Sequence, residues 1–103
     1  MKLFYESKKR NFSAEANYIE NKVTVLRGSI ISEKVDNFRI SKVALNIRKD
    51  KNIVNSKYEL LEDVDFKSLS TAAQFVSGAS VNGLKVWKDK NGEPIKNNIK
   101  YWW

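Results

Sequence analysis

The order of apolar and polar residues divides the chain into segments with two different periods. Between residues 3 and 31, apolar residues alternate with polar ones or form β-branched runs, and polar turns interrupt them near 8–11 and 20–22. A period of two is typical of strands with one buried face, so this region predicts an antiparallel hairpin or meander. Gly28 interrupts the last strand, which predicts a bulge or a close backbone approach.

Residues 36–50 change to the period of a helix. Its predicted apolar face repeats at i, i+3, i+4 and i+7 and consists of Ile40, Val43, Ala44 and Ile47. Asp36 is the expected N-cap. The opposite side of this helix carries a mostly basic stripe, made of Arg39, Lys42, Asn46 and Lys49, with Arg48 near its edge.

The last third of the chain has the clearest start and stop signals. Ser68 is the expected N-cap of a second helix, and Gly78 lies where a left-handed residue ends such a helix. A turn at Asn82 and Gly83 then leads to a predicted strand at 84–87, which would bury Trp87. A loop and a short strand near 58–61 precede this region.

The resulting order of elements is β, β, α, β, α, β, which predicts an α+β fold. We expect a small, mainly antiparallel sheet with two helices packed on one face. Because one domain takes about 150 residues, the 103 residues are expected to form a single domain, 1–103.

The composition excludes several classes of site. The chain has no Cys and no His, so disulfides, thiolate metal sites and histidine-based triads are excluded. The acidic cluster of Glu59, Glu62, Asp63 and Asp65 is the remaining candidate for Mg²⁺ binding or acid–base work, but a solvated edge is the preferred interpretation. We therefore expect a protein that is not an enzyme, with no metal and no cofactor.

Charge and hydropathy indicate the type of partner. Lys and Arg number 19 against 12 Asp and Glu, a net charge of +7 that favours polyanionic partners such as nucleic acid. No apolar run approaches the roughly 18 residues that span a bilayer, and the apolar patch at residues 3–5 is too short for a signal peptide and is interrupted by Glu6. The expected location is cytoplasmic, with no membrane partner.

Three segments resemble the DUF4357 family, a small bacterial domain of unassigned function. Residues 25–29 are similar to a strand of that family, and residues 91–95 are similar to its closing turn. The signature positions between them match in order: Ser68, Ser70, Ala72, Ala73, Val76, Gly78, Ser80, Asn82, Gly83 and Trp87. Leu69 stands where the family usually has Pro. The similarity covers about residues 18–95.

The resemblance implies a non-catalytic DNA-binding or DNA-sensing module. Members of the family often accompany GIY-YIG-type nucleases or restriction methyltransferases, and the domain is similar to RAMA domains proposed to recognise modified DNA. A restriction, defence or mobile-element context is the corresponding expectation. This inference rests on association with neighbouring domains, because fold alone does not determine function.

Three groups of residues are candidates for DNA contact. The basic helix contributes Arg39, Lys42, Arg48 and Lys49, and the turn after the first strand contributes Lys8, Lys9 and Arg10. A phosphate pocket at the second helix start would use Ser70, Thr71 and Asn82. For each group the alternative is purely structural: solvated charges in the first two, and helix capping in the third.

A protein-interaction domain is the alternative function. The terminal Trp102 and Trp103 form an apolar end, which would dock onto a nuclease, a methyltransferase or an inhibitor. Weak salt dependence and sensitivity to Trp102→Ala would distinguish such docking from DNA binding. The sequence leaves the oligomeric state open.

Overall fold

The computed structural model describes residues 1–97 and contains one four-stranded antiparallel sheet. The strands are β1 (Lys2–Ser7), β2 (Phe12–Ile19), β3 (Lys22–Val25) and β4 (Val64–Phe66), and they lie side by side in this order. Glu20 and Asn21 join β2 to β3 with positive φ angles of 50° and 65°, as a type I′ hairpin turn requires. The predicted meander is confirmed.

Alternation along the strands gives the sheet one buried and one open face. The buried face includes Leu3, Ala14, Ala16, Val23 and Phe66, which belong to a single hydrophobic core. The open face carries opposite charges in pairs: Lys2 lies 3.1 Å from Glu15, and Lys22 lies 3.9 Å from Asp65.

The helices of the described chain are α1 (Lys42–Arg48), α2 (Leu69–Ser77) and the short α3 (Gly83–Val86), followed by a 3-10 turn at Ile95–Asn97. Helix α2 packs over strands β2, β3 and β4, while α1 and α3 pack against α2. The α+β class with a small antiparallel sheet is confirmed. No helix within residues 1–97 is long and apolar enough to cross a membrane.

The two predicted boundaries of α2 are correct. The Ser68 hydroxyl accepts a hydrogen bond from the Thr71 amide at 3.0 Å, and Gly78 adopts a left-handed conformation with φ 72°. Between them, the apolar face of α2 buries Phe75, Val76 and both adjacent alanines at 72 and 73.

Helix α1 starts five residues later than predicted. Its N-cap is Ser41, whose hydroxyl accepts from the Ala44 amide at 3.1 Å. The inward face of α1 is also rotated from the predicted one. Ala44 and, one turn later, Arg48 face the core, and Val43 is left 59% exposed. Asp36 instead stabilises a turn within the preceding loop, where its carboxylate accepts from the Phe38 amide at 3.1 Å.

The predicted strand at 84–87 is wrong, since these residues belong to or directly follow α3. Asn82 caps this helix through its side chain, which accepts from the Leu84 amide at 2.9 Å. Trp87 is completely buried, as expected, and its indole Nε1 donates to the Leu69 carbonyl at 3.0 Å. The helical turn of α3 places the indole against the first residue of α2.

Two smaller predictions are also corrected. The fourth strand lies at 64–66, after the predicted 58–61, where only isolated bridges involving Glu59 and Leu60 are present in the described chain. Gly28 has φ 88° and open space around its α-carbon, so it forms a left-handed turn after β3 and makes no close approach.

Candidate nucleic-acid interface

Two basic segments that are distant in sequence meet at the C-terminal end of α2. Arg10, after β1, donates from Nη2 to the Ser77 carbonyl at 2.9 Å. The next carbonyl, that of Gly78, accepts from the Asp36 amide at 2.6 Å. Consecutive residues of the helix end therefore hold the 8–10 turn and the loop that begins near Lys34 next to each other. The Arg10 charge also complements the negative end of the helix dipole.

The loop between Asp36 and Ser41 projects from two fixed ends. Its first residue bonds to Gly78, and the Ser41 amide donates to the Gln74 side-chain oxygen at 3.0 Å. Ile40 is buried and holds the second end in the core. Between these anchors, Phe38 is 99% exposed and Arg39 is also exposed. The loop therefore presents an aromatic ring and a cation to solvent.

We call the cations around this meeting point the basic surface; its members are Lys8, Lys9, Arg10, Lys34, Arg39 and Lys42. All except the half-buried Arg10 are exposed. Arg39 Nε lies 3.6 Å from the Asp36 carboxylate, but the arginine side chain stays 77% exposed. An exposed ion pair of this kind contributes at most about 1 kcal/mol, so it leaves the guanidinium available.

Lys49 extends the basic surface along α1. It is exposed and lies seven residues after Lys42. Seven residues make nearly two helical turns, so both lysines project from the same side of α1, about 10 Å apart. The predicted stripe is thus present in the structure for Lys42 and Lys49, whereas Arg39 lies in the loop before α1.

Arg48 lies next to the basic surface, but its guanidinium is engaged in holding the fold together. Its guanidinium donates short hydrogen bonds to the carbonyl oxygens of Phe75 and Ser32, with a longer contact of 3.5 Å to that of Lys34. Burial lowers the pKa of the Arg48 guanidinium to about 10, and the interaction with nearby Tyr58 opposes part of this decrease. Arg48 is half-buried and makes three contacts to carbonyl oxygens, so little of its guanidinium is left for a phosphate.

The predicted phosphate pocket consists of groups that join α2 to α3. The Ser70 hydroxyl accepts from the Gly83 amide at 3.0 Å, and the Thr71 hydroxyl accepts from that of Ser68 at 2.8 Å. The Asn82 side chain caps α3. These groups lie at the opposite end of the nine-residue α2 from the basic surface, about 13 Å away. Each of the three side chains therefore has a local role: Ser70 joins α2 to α3, Thr71 bonds to the cap of α2, and Asn82 caps α3.

The acidic residues near β4 are likewise engaged in local structure. Asp63 accepts from the Arg27 amide at 2.8 Å, and Asp65 accepts from the Thr24 hydroxyl at 2.6 Å. Within residues 1–97 no group of three or more acidic side chains is arranged to hold a metal ion. The candidate apolar end at Trp102 and Trp103 lies outside the described residues.

The sequence reasoning missed two members of this region, Lys34 and Phe38. Lys34 precedes the predicted helix, and its nearness to Arg10 depends on contacts made at Gly78. The exposure of Phe38 could have been predicted, because this residue does not belong to the apolar face of the 36–50 segment and has polar neighbours in the sequence.

Comparison with known protein families gives a match over nearly the whole chain. The profile of a domain of unknown function, DUF4357, matches residues 3–99. The chain belongs to the DUF4357 family. No curated protein and no solved structure matches the chain.

The structure explains why DUF4357 signature positions have their spacing here. A methyl group on Gly78 would lie 2.0 Å from the Lys34 carbonyl oxygen, and one on Gly83 would lie 2.3 Å from the Leu69 carbonyl carbon. Trp87 donates to the same Leu69 residue. These DUF4357 positions therefore maintain close packing around α2, while the exposed cations and Phe38 form a separate surface feature.

Proposed function

We propose that this DUF4357 domain is a non-catalytic DNA-binding module that contacts phosphates through the basic surface. The observation that carries the proposal is the separation of charge. The open sheet face has Lys2 and Lys22 paired with carboxylates. In contrast, the 8–10 turn and the 34–42 segment bring six cations together at the end of α2. Among the ion pairs found within residues 1–97, one involves these cations, that of Arg39 with Asp36.

The geometry favours contact with the phosphate backbone. Exposed Lys and Arg side chains reach phosphate oxygens without reading bases, and each neutralised phosphate releases condensed counterions. Four such contacts on duplex DNA give a slope of about −3.6 for log K against log salt, which weakens binding roughly 100-fold between 50 and 200 mM salt. Tight binding at low salt with a steep decline is therefore the expected behaviour.

Titration of the full chain against a fluorescently labelled DNA tests this proposal. Binding is measured by anisotropy at several salt concentrations, with a duplex and a single strand of equal length. The proposal fails if neither DNA binds at the lowest salt, or if affinity is independent of salt.

A matched pair of charge reversals locates the interface. Lys42→Glu is expected to weaken DNA binding and to reduce the salt slope by about 1. Lys22→Glu changes net charge equally, but it lies beyond the far end of β2, about 25 Å from the 8–10 turn along that strand. It should therefore have the smaller effect. Equal losses in both variants would mean that only overall charge matters and would contradict the assignment to this surface.

The biological setting of the proposal comes from the family resemblance. DUF4357 domains resemble RAMA-type domains and often accompany nucleases or methyltransferases. These associations favour a restriction, defence or mobile-element context in the cytoplasm. Addition of a purified partner nuclease or methyltransferase to the DNA titration would test whether the module acts as its accessory.

A further inference from the structure

Phe38 has a position that folding does not explain. It is 99% exposed, and it is the single exposed aromatic side chain within residues 1–97. Burying a Phe side chain contributes about 1.5–3 kcal/mol, a gain that this residue forgoes. Its neighbour in the sequence, Ile40, does enter the core. The apolar ring therefore adds nothing to the hydrophobic core from where it stands.

The backbone beneath the ring is held in place. The Phe38 amide donates to the Asp36 carboxylate at 3.1 Å, and the Arg39 amide donates to the Asp36 carbonyl at 3.3 Å. The ends of the loop are fixed at Gly78 and Gln74. A ring on such a fixed turn loses less conformational entropy on binding than one on a loose loop.

The surroundings of the ring match the parts of a nucleotide. Phe38 and Asn37 line a shallow concavity of about 430 Å³ together with Arg10, Lys34, Val35 and Asp36. The ring offers an apolar face for a base, and the Asn37 amide offers a donor and an acceptor for a base edge. Lys34 and Arg39 supply cations for the adjoining phosphates. An aromatic ring bordered by cations is the arrangement that single-strand-binding proteins use.

We propose that Phe38 stacks on an unstacked base of single-stranded DNA whose phosphates lie along the basic surface. This inference rests on the proposed function and names its substrate class. A regular duplex exposes base edges and keeps base faces covered, whereas a single strand presents faces for stacking. The charged border of the ring favours this polyanion over an apolar protein surface.

The test compares Phe38 variants in binding to a short single strand with 2-aminopurine at its centre. Phe38→Ala is expected to weaken binding about 5- to 150-fold, the loss found for one base-stacking aromatic. The slope of affinity against salt should stay the same, because no phosphate contact is removed. Wild-type protein should change the 2-aminopurine fluorescence on binding, and Phe38→Ala should abolish that change.

Two control variants separate stacking from other effects. Phe38→Leu keeps an apolar side chain without a π face, so it should bind nearly as weakly as Phe38→Ala. Ile19→Ala removes an apolar group that is 59% exposed on the open sheet face, and it should bind like wild type. Both positions are exposed, so the thermal midpoints should not move appreciably.

The outcomes distinguish this inference from the proposed function. If wild type binds with a steep salt dependence and Phe38→Ala binds equally well, the stacking inference fails and the DNA-binding proposal stands. A Phe38-dependent preference for duplex would also overturn it, in favour of a ring that wedges between base pairs. If wild type binds no DNA at low salt, the proposed function itself fails.

Discussion

Arg10 donates a hydrogen bond of 2.9 Å to the carbonyl oxygen of Ser77, 67 residues further along the chain. The contact joins the basic turn after β1 to the C-terminal end of α2, where a positive charge is favourable. The same helix end holds the loop that carries Phe38. One side chain of the candidate interface thus also helps to assemble it.

Replacing Arg10 should lower stability as well as DNA affinity. Arg10→Met removes the bond to Ser77 and the charge at the helix end, which should cost about 1–2 kcal/mol of unfolding free energy. The buried Arg10 Nε has no hydrogen-bond partner, so losing it offsets part of this cost. Urea denaturation measures the change. Lys9→Met, at an exposed neighbour, should stay within about 0.5 kcal/mol, and equal effects of the two would contradict this role.

Arg48 should be important for folding and unimportant as a phosphate contact. Arg48→Met leaves the carbonyl oxygens of Ser32 and Phe75 without their donor, which should destabilise the protein by about 2–4 kcal/mol. Arg48→Lys should recover little, because an ammonium group cannot reproduce the planar fork of donors. Lys49→Met on the exposed side is the control: it should preserve the denaturation midpoint while weakening DNA binding. Reversed behaviour of residues 48 and 49 would refute the assignment.

Two glycines with the same backbone conformation should respond differently to alanine. Gly78 and Gly92 have φ angles of 72° and 81°, so both substitutions cost backbone strain of about 1 kcal/mol. At Gly78 the new methyl group would also lie 2.0 Å from the Lys34 carbonyl oxygen, whereas Gly92 has open space. Gly78→Ala is expected to unfold the domain or to separate the loop from α2. Circular dichroism with thermal melting checks this, and similar melting temperatures for the two variants would argue against the close contact.

The Tyr5 hydroxyl should make stability depend on alkaline pH. Burial raises the pKa of Tyr5 above its ordinary value of 10.0, and this outweighs the opposing influence of Ser77 and Arg10. As pH rises past 10, Tyr5 ionises in the unfolded chain before it does in the folded one, so its contribution to stability falls. The unfolding free energy should therefore fall less steeply in Tyr5→Phe than in the wild type as the pH is raised through 10. An identical decline in the variant would show that other groups cause it.

The regular elements could be predicted where a few neighbouring residues specify them. The alternation in β2 gave the correct strand, and Ser68 with Gly78 gave both ends of α2, because periodicity and capping are local properties. The same local signals failed at 84–87. There the close fit of Gly83 against Leu69 and the bond from the Trp87 indole favour a helical turn.

The candidate site depended more strongly on tertiary structure. Sequence identified Lys42 and Lys49 as an accessible basic stripe, but it could not distinguish them from Arg48, whose donors are used by carbonyl groups 16 and 27 residues away. It also could not bring Lys34 to Arg10.

The sequence by itself determined the charge, the family, the strand alternation and the caps of α2. Only the tertiary structure decided which cations remain exposed and that Phe38 stands outside the core. The physical reason is one of range. Period and capping arise from residues within one or two turns of each other, whereas burial of a charge and exposure of a ring depend on segments that meet only after folding.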